Sequence, residues 1–379
     1  MTFTFYVGIR MKKLLFAGVI IAAAGTVVLG SAPTAQAKVT PYGYIKLDAS
    51  YDQSRTNDGN FVYIVLPEAT SDDEFNMTAK QTRLGLSFLE ESSDRPRVTG
   101  KLELDFYGGG AENKPNPMLR HAFMELSYPG LKLLAGQTSD LYAPLNPTTL
   151  NYIVLWKCGN TGYRRPQIRL TKTMDLGEKT HLTLAGSLNR SVGLGESGED
   201  AALPVGMARI AVSVKLAGQD FATLGISGLI GREESDLLDE TFEAEAVAID
   251  VTVPLGKKAS LKGEYYTGQN MASYLGGIGQ GIDLDHREEI ESSGGWAHLA
   301  LKLNENAGLN VGAGLDDPRL QEGDTTNMLD ENLSYFGNII WKLHSSVSVG
   351  VEYLGTETTY ADGESYQNHR GQLSFMYSF

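Results

Sequence analysis

The sequence is poor in cysteine, in positive charge and in long apolar runs. Its one cysteine is Cys158. A chain with a single thiol has no intrachain disulfide, so its stability must come from elsewhere. No pattern of ligands or bases accompanies Cys158, which reads as a loop or packing residue. The chain has 32 Lys and Arg against 46 Asp and Glu, a net charge of −14. Nucleic-acid binding needs a basic footprint, so that class of partner is excluded. Beyond residue 37 no apolar run is long enough to cross a bilayer as a helix. Proline is modest, at 13 residues, and glycine is abundant, at 43.

The one long apolar run lies at the start. Lys12-Lys13 precedes "LLFAGVIIAAAGTVVL" (Leu14 to Leu29), and "GSAPTAQA" ends in a small-x-small site at Ala35-Gln36-Ala37. This is the form of a secretory signal, predicted to be cleaved after Ala37; an uncleaved anchor is the rival reading. Met11 begins a normal signal of this kind, and residues 1–10 read as an unused upstream start. Removing residues 1–37 takes away Arg10, Lys12, Lys13 and no acid, which moves the net charge from −14 to −17.

The remainder, 38–379, alternates with period two almost everywhere. In "GYIKLDASY" Ile45, Leu47, Ala49 and Tyr51 share one face, and Lys46, Asp48 and Ser50 the other. "VTGKLELDFY" opposes Leu102, Leu104 and Phe106 to Thr99, Lys101, Glu103 and Asp105. Such alternation is the signature of half-buried strands, and about sixteen stretches show it. "FEAEAVAI" is ambiguous, because its composition also suits a helix.

The connections alternate short and long. "PG", "AGQD", "PLGK", "NENA" and "HSS" follow alternate strands, and long polar segments separate them at roughly 52–78, 108–118, 138–164, 191–204, 232–241, 269–293, 316–331 and 358–367. That rhythm, with an even strand number, predicts an all-β transmembrane antiparallel barrel with short periplasmic turns and long extracellular loops. Lipid offers the backbone no hydrogen bonds, so a β protein spans a bilayer only as a closed sheet. The ending "LSFMYSF" fits: Phe375, Tyr377 and Phe379 face lipid near the inner interface, where aromatic girdles sit.

A barrel of this size holds an aqueous channel, and charged side chains at its narrowest point set selectivity. Parity assigns Lys46, Arg83, Lys101, Arg165, Arg169, Arg209 and Arg370 to the lumen as basic candidates. The acidic candidates are Asp48, Glu103, Asp105 and Glu125. Arg120 and Arg164 have the wrong parity but lie at strand ends, where bending brings them inward. Guanidinium groups keep their charge and grip carboxylates in bidentate fashion. The sharper reading is therefore an arginine-lined constriction favouring anionic or carboxylate-bearing solutes. The plainer one is that the arginines pair with inward acids and hold the barrel rigid. Acidic loop clusters at Asp72, Asp73 and Glu74, at Glu233, Glu234, Asp236, Asp239 and Glu240, and at Asp316, Asp317, Glu322 and Asp324 lack the spacing of a calcium loop and read as solvated surface.

Other motifs lead nowhere. "GLGESG" (Gly193 to Gly198) matches a dinucleotide pattern, but Pro204 follows and no βαβ unit surrounds it. His344 and Ser346 lack an orienting third group for catalysis. His121 and His298 read as single pore-lining or near-interface residues, and Trp156, Trp296 and Trp341 as loop, interface or girdle residues. No cofactor or metal is expected.

Three stretches resemble known proteins. The C-terminal strand ending in Phe379 looks like the assembly signal of Gram-negative outer-membrane proteins, with Phe375 and Tyr377 as part of it. "YGYIKLDASYD" resembles the first strand of bacterial porins. "LAGQTSDLYAPLNPTTLN" followed by "GNTGYRRPQIRLT" resembles the third-loop segment of DcaP-like porins. The resemblance implies a sixteen-stranded homotrimer with loop 138–164 folded into each pore. It also implies outer-membrane lipid, small solutes and the assembly machinery as partners. The expected function is passive diffusion of small hydrophilic solutes, without enzymatic activity. The alternatives are an outer-membrane barrel enzyme and an exported β-sheet binding protein. No segment ahead of the first strand is long enough for the plug of an energised transporter.

Overall fold

The computed structural model describes residues 37–67, 72–91, 96–192, 201–216, 220–321 and 328–379. The expected leader, the "GLGESG" segment, Glu322 and Asp324 lie outside them. Sixteen staves form the sheet: β1 (Lys38–Asp52), β2 in two parts (Glu74–Thr78 and Arg83–Glu90), β3 (Arg97–Asp105), β4 (Met118–Tyr128), β5 (Leu131–Ser139), β6 (Arg164–Asp175), β7 (Thr180–Asn189), β8 (Val205–Lys215), β9 (Phe221–Ser235), β10 (Glu240–Pro254), β11 (Ala259–Gln269), β12 (Glu291–Lys302), β13 (Ala307–Pro318), β14 (Leu329–His344), β15 (Val347–Tyr360) and β16 (Ser365–Ser378). Each pairs antiparallel with its neighbours in sequence, and both parts of β2 pair with β1.

β1 pairs with β16 from Tyr44↔Ser378 to Asp52↔Arg370, and Gly43 and Phe379 exchange backbone hydrogen bonds of 3.1 Å. The sheet therefore closes into a barrel without an exposed edge, which is the condition for a β protein in lipid. The alternation maps onto its two faces. Ile45, Leu47 and Tyr51 point outward and are exposed, while Lys46, Asp48 and Ser50 are buried inside. The C-terminal side chains Phe375, Tyr377 and Phe379 lie on the outer face, about half exposed. The ambiguous "FEAEAVAI" belongs to β10: Phe242, Ala244, Ala246 and Ala248 are buried inward, and Glu243, Glu245 and Val247 alternate outward. Tertiary pairing overrides its helical propensity here.

The turns at 129–130, 176–179, 255–258, 303–306 and 345–346 lie at one end of the barrel, with the start of β1 and the end of β16. Two expected long loops are in fact tight turns. β9 and β10 run on to Ser235 and Glu240, and β15 and β16 to Tyr360 and Ser365, so only 236–239 and 361–364 remain as connections. The polar residues of these hairpins extend the ladder beyond the apolar band.

Candidate functional site

Loop 140–163, between β5 and β6, folds into the lumen, and the wall holds its backbone with acidic side chains. The Glu352 carboxylate on β15 accepts from the backbone N–H groups of Leu150 (2.6 Å) and Asn151 (2.9 Å) and from the Asn151 and Asn338 side-chain amides, each at 2.8 Å. Glu264 on β11 accepts from the Leu145 N–H at 2.7 Å and the Trp296 indole N–H at 3.1 Å. Ser227 on β9 accepts from Ala143, Asn338 on β14 donates to the Thr148 carbonyl, and Lys46 on β1 donates to the Leu150 carbonyl at 2.6 Å. On its return limb the loop touches β12–β14. A side chain at Gly314 would collide with the Cys158 carbonyl, so glycine is required for this approach. Cys158 is wholly buried with Leu155, Trp296, Phe336 and Leu354, its sulfur 3.2 Å from Ser334 Oγ. Burial pushes its thiol up to about 12.

Two further loops fold inward, which the sequence reading did not anticipate. In the first long loop Val62 and Val65 are fully buried. Val65 N–H donates to Thr358 Oγ1, Tyr360 OH donates to the Val65 carbonyl, and Asn332 donates to the Tyr63 carbonyl. Loop 270–290, between β11 and β12, lies on loop 140–163. Lys157 and Gly162 donate backbone bonds to Leu275 and Tyr274 (2.9 and 2.7 Å), and Asp316 on β13 accepts from the N–H groups of Gly277 and Ile278. A ladder of rings joins the loops: Phe61 to Tyr107 at 5.6 Å, Tyr107 to Tyr152 at 4.1 Å, Tyr152 to Trp156 at 5.9 Å and Trp156 to Tyr163 at 5.7 Å.

Loop 140–163 is bonded to β9, β11, β14, β15 and β1; the inward faces of β2–β8 form the rest of the wall. That wall is basic. Glu103 on β3 gathers Arg120 (3.0 Å), Lys101 (3.1 Å) and Arg83 (3.5 Å) and accepts from Tyr42 OH (2.9 Å). Arg120 also reaches Asp105 at 2.7 Å and Tyr152 OH at 3.4 Å. A register shift between Glu103 and Leu104 turns Arg120 inward against its parity. Arg164 lies over the Tyr163 and Trp156 rings at 4.6 and 5.7 Å. Arg169 donates to Gln167 and to the Ser139 carbonyl. Neither Arg164 nor Arg169 has a carboxylate partner among the described residues. Arg209 holds Asp250 by two bonds of 2.9 and 2.6 Å, and Glu125 holds Lys132 at 3.1 Å.

Two of the arginines assigned to the pore are sealed off from it. Arg165 is 0% exposed, 2.9 Å from Asp140 and 4.3 Å over the Tyr274 ring, and it donates to the Ser273 carbonyl. Arg370 is 1% exposed, bound to Asp52 at 2.7 Å and covered by the Gly59 and Asn60 carbonyls. The inward-folded loops bury both, so they brace the loops. Lys46 and Asp48 form a buried pair at 3.1 Å. His121 bonds Thr138 at 3.0 Å and lies 3.7 Å from Glu103. His298 faces inward but is 1% exposed, bonded to Asn310 and stacked on Phe336. Trp296 is buried inside and Trp341 lies on the outer face. His344 and Ser346 share an exposed turn, 3.2 Å apart. Sequence reasoning missed Glu264 and Glu352 as loop anchors, although both are charged residues at inward parity. It also missed the inward lysines 262, 302 and 342.

A model of the family described as DcaP outer membrane protein matches residues 29–202. No curated protein sequence matches the chain. Among solved structures, the outer membrane channel DcaP of Acinetobacter baumannii is 22% identical, with a TM-score of 0.76, over 93% of this chain and 100% of that one. An anion-selective porin from Comamonas acidovorans is 11% identical, with a TM-score of 0.59, over 91% of this chain and 100% of its own. The trimer form of OmpT, an outer membrane protein of Vibrio cholerae, is 12% identical, with a TM-score of 0.59, over 90% and 99%. At these identities the likeness to the solved structures is one of fold: a closed antiparallel barrel.

Proposed function

We propose that this chain is an outer-membrane porin, a passive channel for small hydrophilic solutes, with a preference for anionic ones. The observation that carries the reading is a closed sixteen-stave barrel whose third long loop is tied across the lumen, with basic side chains gathered on the inward faces of β2–β8. The fold it shares with an outer membrane channel and an anion-selective porin supports the same reading. Arg164 and Arg169, cationic and without carboxylate partners among the described residues, are the groups that would tip selectivity toward anions. In this reading residues 1–37 direct export, the strand ending in Phe379 engages the assembly machinery, the short turns face the periplasm, and three copies assemble. The chain performs no catalytic step.

The test is single-channel conductance of the refolded chain in a planar bilayer with a salt gradient across it. The expected result is an open channel whose reversal potential lies on the anion side. Arg164→Gln with Arg169→Gln should lower the anion-to-cation permeability ratio roughly threefold, the scale of two charge contacts of about 0.3 kcal/mol each. A cation-side potential that the double substitution leaves unmoved would remove the anionic preference. A folded, inserted protein that never conducts would remove the channel.

A further inference from the structure

The lumen has a second basic region, separate from the constriction wall. Near the short turns, β10–β14, the turns between them and Asp220 line an open cavity of about 480 Å³. Lys257, Lys258, Lys302 and Lys342 line it, with Asp220 and Glu305 as the acids. Glu305 is already engaged by Lys302, both oxygens lying 2.9 Å from Nζ. Lys257, Lys258 and Lys342 have no carboxylate partner among the described residues. Three unpaired ammonium groups therefore face one remaining carboxylate, Asp220. Lys302 and Lys342 share the inward face of Asn310 and Asn338, so they point away from lipid. Deeper along the same wall stands Lys262, paired across the ladder with His298, also without a carboxylate partner among the described residues. The inner acids nearer the loop end are occupied: Asp52 by Arg370, Asp250 by Arg209, and Glu264 and Glu352 by the loop backbone.

We propose that this cavity is a vestibule subsite for phosphate-bearing solutes, resting on the channel reading above. A guanidinium fork suits a planar carboxylate, whereas several flexible ammonium groups around an open cavity act as point charges and suit a compact multivalent anion. The cavity lies at the turn end, the periplasmic end in that reading. A solute leaving the constriction meets a second positive field there, and its residence time depends on its valence.

The experiment uses the full mature chain in a planar bilayer of known insertion direction, with sodium pyrophosphate added to one side at a time. Pyrophosphate is expected to interrupt the current at lower concentration from the turn side than from the loop side. Lys257→Gln, Lys258→Gln and Lys342→Gln together should raise the turn-side half-blocking concentration roughly tenfold, the combined scale of three exposed charge contacts. All three are surface or lumen-exposed positions, and a heat-dependent gel shift confirms that the variant is folded. Block that is equal from both sides and unchanged in the triple variant would overturn the vestibule while leaving the channel intact. So would conductance that pyrophosphate never interrupts. A folded protein that never conducts would overturn both readings.

Discussion

Glu352 shows how one side chain sets the geometry of the lumen. It is 2% exposed and receives four hydrogen bonds, three of them from residues 150 and 151 of the inward loop. Glu352→Ala strands buried donors, each costing about 1–3 kcal/mol. The expected outcome is a barrel that still inserts but has a noisier channel of higher conductance, measured in single-channel records; an unchanged trace would show that the loop is held elsewhere. Cys158 offers a second test at this scale. Its thiol is raised from 9.0 to about 12 by burial. Maleimide should leave the folded protein unlabelled at pH 8 and label it after unfolding in urea. Because the folded-state value is raised, the thiol's contribution to stability is whole below about pH 9 and is lost as pH climbs toward 12. Labelling of the folded protein at pH 8 would contradict the buried placement.

At the scale of elements, the strands obey one rule and the loops several. Apart from shifts such as that beside Arg120, the staves alternate outward-facing and lumen-facing side chains, so in the channel reading a charge placed outward is penalised and one placed inward is not. Ile226 on β9 is 53% exposed on the outer face. Ile226→Arg should cost about 2–4 kcal/mol if it sits near the bilayer midplane, read from urea-dependent folding into lipid vesicles. A cost near zero would mean the face is not in lipid. The loops were less legible. Residues 232–241 and 358–367 read as loops because they are polar, yet ladder pairing carries them as strands beyond the apolar band. The loop at 138–164 was legible through its resemblance. The inward fold of the first loop and of 270–290 was not, because its partners are single inward residues such as Asp316, Asn332 and Thr358 on strands far away in sequence.

For the whole molecule, closure is the organising fact. β1 joins β16 across a sequence separation of more than three hundred residues. The closed barrel should migrate faster than the unfolded chain on a gel before boiling and shift on heating. Trimers should appear as a larger species in the unboiled lane; a single small band would count against trimeric assembly.

The sequence by itself determined the barrel. Alternation of period two, the rhythm of connections and the terminal aromatic strand are local features, and the bilayer's lack of hydrogen-bond partners leaves a closed sheet as the one spanning solution they permit. Parity alone placed Lys46, Asp48, Glu103 and Arg209 inside. The tertiary structure decided which of the inward charges remain available. Arg165 and Arg370 look like Arg169 in the sequence, yet the first two are paired with Asp140 and Asp52 and covered by inward-folded loops, which removes them from the open lumen. Arg120 needed a one-residue register shift to turn inward. Burial and pairing depend on contacts between distant segments, and a local pattern of polar and apolar residues does not record them.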